Sequence, residues 1–294
     1  MYSYIDKIRQ GMTFPKFYLK RYLRLLPVMF LSVIVCDVLL LIYEKVFSEG
    51  WLNITPTLKG TIISILGVQC GWIFKNPMIN NPIWYISVLL LCYIIFYFLV
   101  KIAEFTKIKC EYLFAIMIAV GIATFQSKIN IPFLNPFSSR GYYAFFFGII
   151  LMSIINAYDK TDKVKINNIL SVVCIIVSAT CIYLIVANNN FIRKNIVYVV
   201  TYVLYPAIII ALRSNLIKKY LNKALISNIV NKLSAISFDS FIWHCPVIIF
   251  FQIVIGKYGI NISYNNYVVM IMYVITCYVI GTISYYLIEQ KIGR

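Results

Sequence analysis

Apolar residues in this chain come in long runs separated by short polar stretches. A helix needs about 20 apolar residues to span a bilayer, and fewer where it is buried in a bundle. Such runs lie near 26–43, 83–100, 112–125, 141–157, 169–187, 195–212, 236–255 and 267–288. A weaker ninth run, 58–74, contains Gly60, Gly67, Gln69 and Gly71. The pattern predicts an all-α protein, a polytopic transmembrane helix bundle of about eight spans, or nine if 58–74 crosses. The whole of 1–294 reads as a single membrane-embedded domain with short loops, the largest being about 213–235. The first run is long enough to span, so it reads as part of the bundle and not as a cleavable signal. There is no internal repeat and no pair of Pro/Gly-interrupted helices in matching halves, which argues against an inverted-repeat transporter.

Composition agrees with the pattern. Hydrophobic residues make up 62% of the chain and charged residues 13%, whereas a soluble domain carries about 25% charged residues. The formal net charge of +17 comes from Lys and Arg in loops between apolar runs, so it points to topology and anionic lipid headgroups rather than nucleic acid. Placement of those charges also bears on run 58–74. With eight spans most Lys and Arg fall on the side of the N-terminus, and with nine they divide almost evenly. The positive-inside rule therefore selects eight spans with both termini cytoplasmic. Run 58–74 would then lie on the outer face or dip in and return, where protein or water must satisfy its backbone. The eight cysteines form no Cys-x-x-Cys pair and read as small buried hydrophobes, with no disulfide framework and no metal site.

Within this frame a few polar residues could carry chemistry. Lys20 to Pro27 is a basic cluster running into the first apolar run. Arg21 and Arg24, three residues apart, share one face of a helix. They are topology anchors or a clamp for a phosphate-bearing ligand, since the guanidinium fork bonds phosphate bidentately. His244, the one histidine, sits in Ile242-Trp243-His244-Cys245-Pro246. It is a hydrogen-bonded structural residue or a catalyst, and Pro246 can leave nearby carbonyls free to accept its proton. Without a partner at useful spacing it makes no zinc motif. Asp37, about ten residues into its run, is an intramembrane carboxylate and so a functional candidate, or it pairs with a polar group of a neighbouring helix. Arg140, on the outer side, is misplaced as an anchor and would face a polar cavity. Trp84 and Tyr85 follow Asn80-Asn81-Pro82 at a helix entrance, where aromatics commonly form the interfacial belt.

Several of these stretches together resemble the integral-membrane acyltransferase family 3, bacterial O-acyltransferases of envelope glycans. Arg21-Tyr22-Leu23-Arg24 with Pro27 is similar to that family's cytoplasmic Arg-x-x-Arg signature. Pro82-Ile83-Trp84-Tyr85-Ile86-Ser87-Val88 is similar to its Pro-Leu-Trp-Tyr-Leu-Ser-Val helix start, and Arg140 to Gly148 to its Arg-Gly…Phe-Phe-x-Gly segment. Ile236 to Val247 resembles the family's late Ser-Tyr…Leu-Trp-His-x-Pro-Val segment, and Tyr285-Tyr286-Leu287-Ile288-Glu289 its last helix. The motifs stand in the family's order along essentially the whole chain.

The resemblance implies a multi-pass protein of the bacterial inner membrane, a ten-helix bundle with cytoplasmic termini. No cofactor would be bound. Acetyl-CoA or another acyl-CoA would be co-substrate, its phosphates near Arg21 and Arg24. A glycan or lipid-linked saccharide would be acylated on the outer side, with Arg140, Trp84, Tyr85 and Asp37 serving the acceptor or the structure. A histidine in the family's first helix would be general base or acyl carrier. Met1 falls where the family's second helix would end, so the chain is expected to be N-terminally incomplete, without that histidine. Ten helices less two leaves the eight read from charge. His244 matches the family's late histidine, a weak candidate for the base. Leu89 stands where many members carry Glu, and no carboxy-terminal hydrolase-like domain is expected. The expected function is membrane O-acyltransfer from acyl-CoA to an exported polysaccharide. The alternatives are a truncated, inactive homologue acting as scaffold or remnant, and a polytopic transporter.

Overall fold

A computed structural model describes residues 1–52, 54, 56–73, 78–159, 164–213, 217, 224–259 and 266–292. Most of the described residues are helical, and none forms a strand. The helices are α1 (Tyr4–Arg9), α2 (Phe14–Phe47), α3 (Leu58–Leu66), α4 (Ile83–Thr106), α5 (Cys110–Gln126), α6 (Pro136–Asp159), α7 (Val164–Val186), α8 (Asn190–Lys194), α9 (Ile196–Val199), α10 (Tyr205–Arg213), α11 (Ala224–Lys257), α12 (Tyr267–Ser284) and α13 (Gln290–Ile292). Val200–Leu204 and Tyr285–Glu289 are π-helical turns that continue α9 into α10 and α12 into α13.

All eight firm apolar runs fall on helices. Seven helical stretches among the described residues are long and apolar enough to cross a membrane, and the eighth, α5, has 17 residues, at the lower limit of a span. The weak run is not among these stretches. Of its described residues only Leu58–Leu66 is helical, nine residues that rise about 14 Å. Thr57 starts α3 by accepting the Gly60 N–H, and Gly67 ends it at φ 65°. A Cβ at Gly67 would also lie 2.9 Å from Leu90 Cδ1, so both conformation and space require glycine there. Beyond it Trp72 Nε1 donates to the Ser87 carbonyl and Ser87 Oγ to the Cys70 carbonyl, fastening this segment to α4. Burial pushes the Cys70 thiol up to about 12, so it is an inert packed thiol at neutral pH. All eight cysteines are buried thiols.

Helix boundaries differ from the apolar runs. α2 starts at Phe14, with Thr13 as N-cap and Pro15 in the first turn, a position where proline costs no hydrogen bond. It runs 34 residues, about 51 Å, so the basic cluster is helical and Asp37 lies some two dozen residues into the helix, not ten. α11 likewise reaches back to Ala224, taking in the second half of the expected loop 213–235; residues 214–216 and 218–223 of that loop lie outside the described residues.

The chain divides into two compact units, one formed by 3–146 with 233–294 and the other by 147–232. In the first, α2 and α4 are antiparallel. Phe14 packs on Tyr97 and Phe98, Phe17 on Tyr93, Phe96 and Tyr97, and Arg21 on Tyr93. α5 and α6 join the same aromatic cluster, Phe114 and Phe145 packing on Phe96, Phe145 on Tyr93 and Phe146 on Phe114. α12 crosses α11 at Gly281, where a Cβ would stand 2.2 Å from Ser240 Oγ; small residues let the two backbones approach this closely. In the second unit α7 meets α10 around Cys174, Ala207 and Ala211, again through small side chains. Large apolar residues such as Leu31, Val38, Val173, Ile176, Ile271 and Val279 are exposed, which suits a lipid-facing surface. The protein is a multi-pass membrane protein.

Candidate functional site

In the first unit a cavity of about 450 Å³ lies between α2, α4, α11 and the π turn that follows α12. Its polar lining comes from Arg21, Arg24, Ser234 and Glu289, with the rings of Tyr85, Tyr93 and Tyr285; Leu25, Leu89 and Phe238 supply apolar wall. The helical spacing of Arg21 and Arg24 does place both at one cavity. The structure adds that they share it with Tyr85, Leu89 and Tyr93, in the first half of α4.

The two arginines differ sharply in their surroundings. Arg24 donates from both Nε and Nη2 to Glu289 Oε1, at 3.0 and 2.6 Å. The arginine side chain is 65% exposed and the glutamate 8%, so the pair serves mainly to neutralise a buried acid. Asp239 lies within hydrogen-bonding reach of Glu289, and its Oδ1 accepts from Ser284 Oγ. Glu289 Oε2 and Asp239 Oδ2 are buried with no hydrogen-bond donor. Arg21, by contrast, has no ion-pair partner among the described residues. Its guanidinium stands 4.1 Å from the Tyr4 ring centroid and 5.7 Å from that of Tyr93, and its Nε is buried without an acceptor. The two rings hold the guanidinium, with the Tyr93 hydroxyl in hydrogen-bonding reach, and no acid pairs with it among the described residues.

A second group lies at the entrance of α4. Arg140 is exposed, with its guanidinium 6.0 Å from the Trp84 ring and 5.7 Å from the Phe125 ring. Trp84 also packs on Phe137. Tyr85, the next residue, turns to the Arg21–Arg24 cavity and to Phe241 of α11. The Trp84–Tyr85 step thus joins the two groups.

His244 and Asp37 stand apart from the cavity lining. The His244 Nδ1 pairs with the Phe241 carbonyl, and Tyr273 Oη donates to the His244 carbonyl at 3.1 Å. Proline at 246 has no N–H for the Ile242 carbonyl. Asn80 Nδ2 fills that vacancy at 3.2 Å, so the carbonyl freed by Pro246 binds Asn80, not His244. Asp37 Oδ2 accepts from Thr61 Oγ1 of α3 at 2.6 Å, pairing with a neighbouring helix. Sequence reasoning assigned no role to Glu289 or Asp239. The signal was present, because Asp239 is a carboxylate in an apolar run and Glu289 follows one directly, the feature that singled out Asp37. Leu89, where the resemblance implies a Glu in many relatives, is a wall of the cavity.

The cavity is lined by two arginines, one of them paired with Glu289, and by aromatic rings. The family model described as the acyltransferase domain, type 3, matches residues 2–288. The chain belongs to acyltransferase family 3. Comparisons with curated proteins and with solved structures return no match. The family match runs across both compact units, so acyltransferase family 3 here is a membrane fold whose candidate site lies in the first unit.

Proposed function

We propose that this protein is a bacterial inner-membrane O-acyltransferase. It moves an acyl group, acetyl being the simplest, from acyl-CoA to a hydroxyl of an envelope or exported polysaccharide. The observation that carries the reading is Arg21 in the cavity, a guanidinium with no acidic partner among the described residues. A phosphate-bearing donor supplies the missing anion, and an arginine edge held by flanking rings suits phosphate. The donor enters from the cytoplasmic side. Its thioester points along the Tyr85–Trp84 step toward Arg140, where aromatic faces and a guanidinium offer a saccharide both stacking and hydrogen bonds. Transfer breaks the thioester C–S bond and forms a C–O bond; the hydroxyl proton passes to the departing thiolate.

The test is transfer of labelled acetyl from acetyl-CoA into the polysaccharide, using membranes that hold the full-length protein and matched membranes that lack it. Label that depends on the protein, and that falls with Arg21→Ala while membrane insertion persists, supports the reading. Label that ignores the protein overturns it. One observation favours a second reading, an inactive homologue that serves as scaffold: the described cavity lining contains no histidine, and His244 is engaged with Phe241. That reading expects acetyl content to be the same with and without the gene.

A further inference from the structure

We infer that the two arginines of the cavity have different tasks: Arg21 takes the anionic part of the donor, and Arg24 is a positioning residue held by Glu289. The inference rests on the acyl-CoA reading and deepens it.

The first argument is occupancy. Nε and Nη2 of Arg24, one whole edge of its fork, converge on Glu289 Oε1 at 3.0 and 2.6 Å. A phosphate gripped by that edge would have to displace a carboxylate that is itself buried. The displaced carboxylate would keep only its neighbour Asp239, since its Oε2 accepts from no other residue.

The second argument is repulsion. Asp239 stands against Glu289, and its Oδ2 likewise has no donor. An anion approaching Arg24 meets a guanidinium already neutralised by the Glu289 carboxylate. Like charges at close range repel, most strongly where water is scarce. The same anion approaching Arg21 meets a guanidinium framed by Tyr4 and Tyr93 and no acid among the cavity lining other than Glu289. The field of the cavity thus directs the phosphate to Arg21.

The third argument is placement. Glu289 ends the π turn Tyr285–Glu289, and Asp239 belongs to α11, where Ser284 of α12 holds its Oδ1. The Arg24–Glu289 pair therefore ties α2 to the end of the last membrane helix, and the acid neighbours fix where that end lies. A wide π turn shifts the face that a side chain occupies, and here the shifted residue is the one that meets Arg24. Glu289 and Asp239 position Arg24, which closes the wall of the cavity beside Arg21.

The experiment measures coenzyme A binding and the thermal midpoint of the full-length protein in detergent, for wild type, Arg21→Gln, Arg24→Gln and the charge exchange Arg24→Glu with Glu289→Arg. Arg21→Gln is expected to weaken coenzyme A at least tenfold with little change in midpoint. Arg24→Gln is expected to lower the midpoint, and the exchange to restore both midpoint and binding to within about threefold of wild type, because a positioning pair works in either direction. If the exchange regains the midpoint but not coenzyme A binding, Arg24 touches the ligand and the inference falls. Arg21→Gln that binds as wild type does also overturns it. A wild-type protein that binds no coenzyme A overturns the donor reading itself, and it does so in an arm that contains no substitution.

Discussion

Arg24 and Glu289 lie 265 residues apart in the chain and 2.6 Å apart in space. One is exposed and the other buried. The asymmetry sets what each substitution does. Loss of Arg24 leaves a buried carboxylate without its donor, whereas loss of Glu289 leaves a guanidinium that water can reach. Arg24→Ala is expected to destabilise by about 1–3 kcal/mol, the cost of an unsatisfied buried acceptor. Glu289→Gln, which keeps the shape and an acceptor oxygen, is expected to cost less. Thermal unfolding in detergent ranks the two, and the reverse order would show that the acid is not the dependent partner.

Gly281 is expected to tolerate no side chain. The methyl of Gly281→Ala would stand 2.2 Å from Ser240 Oγ and 2.7 Å from Ser240 N. Part of that contact is backbone and cannot rotate away. α12 must then move off α11, which carries Ser284 away from Asp239 and shifts Glu289. We expect about 1–3 kcal/mol of destabilisation, in the range of overpacked cores, together with weaker coenzyme A binding. Unchanged binding would mean that the helix crossing does not set the position of Glu289.

Asn80 and Pro246 should be coupled. Asn80 Nδ2 bonds both Ser32 Oγ and the Ile242 carbonyl, and the second acceptor is available because Pro246 supplies no N–H. Pro246→Ala gives that carbonyl a helical donor again. Asn80→Ala should therefore cost less in a Pro246→Ala background than in wild type, with a coupling of about 0.5–3 kcal/mol. Additive costs in a double-mutant cycle of unfolding midpoints would break the link.

Arg140 and Trp84 should act on the acceptor and not on the donor. Trp84→Ala removes one of the two rings that flank the guanidinium. A cation–π contact contributes about 0.5–2 kcal/mol, so Arg140→Ala is expected to raise the acceptor KM several-fold while coenzyme A affinity stays as in wild type. Loss of coenzyme A binding in Arg140→Ala would place this residue at the donor instead.

Much of the architecture was legible in the sequence. Every firm apolar run became a helix, and the charge-based choice of eight runs agrees with α3, which is too short to cross. Arg21 and Arg24 met at one cavity, as their spacing implied. The differences have physical causes. α2 starts at its Thr13 cap and first-turn proline rather than where hydrophobicity begins, and α11 likewise starts at Ala224, well before its apolar residues. The carbonyl freed by Pro246 takes Asn80, a side chain from a distant loop, while His244 pairs with the Phe241 carbonyl.

Hydropathy and backbone chemistry settle the helical class and the number of runs. In lipid each peptide group must find its partner within its own helix, and that requirement is local, so a linear sequence displays it. Which polar side chains would share a cavity is not local. Glu289 lies far down the chain from Arg24, and the π turn that aims it leaves no pattern in Tyr285-Tyr286-Leu287-Ile288. Only the packing of α2, α4, α11 and α12 decided that one arginine is paired with a buried acid while the other is not. Contact between distant segments depends on the whole arrangement of helices and on no single stretch of sequence.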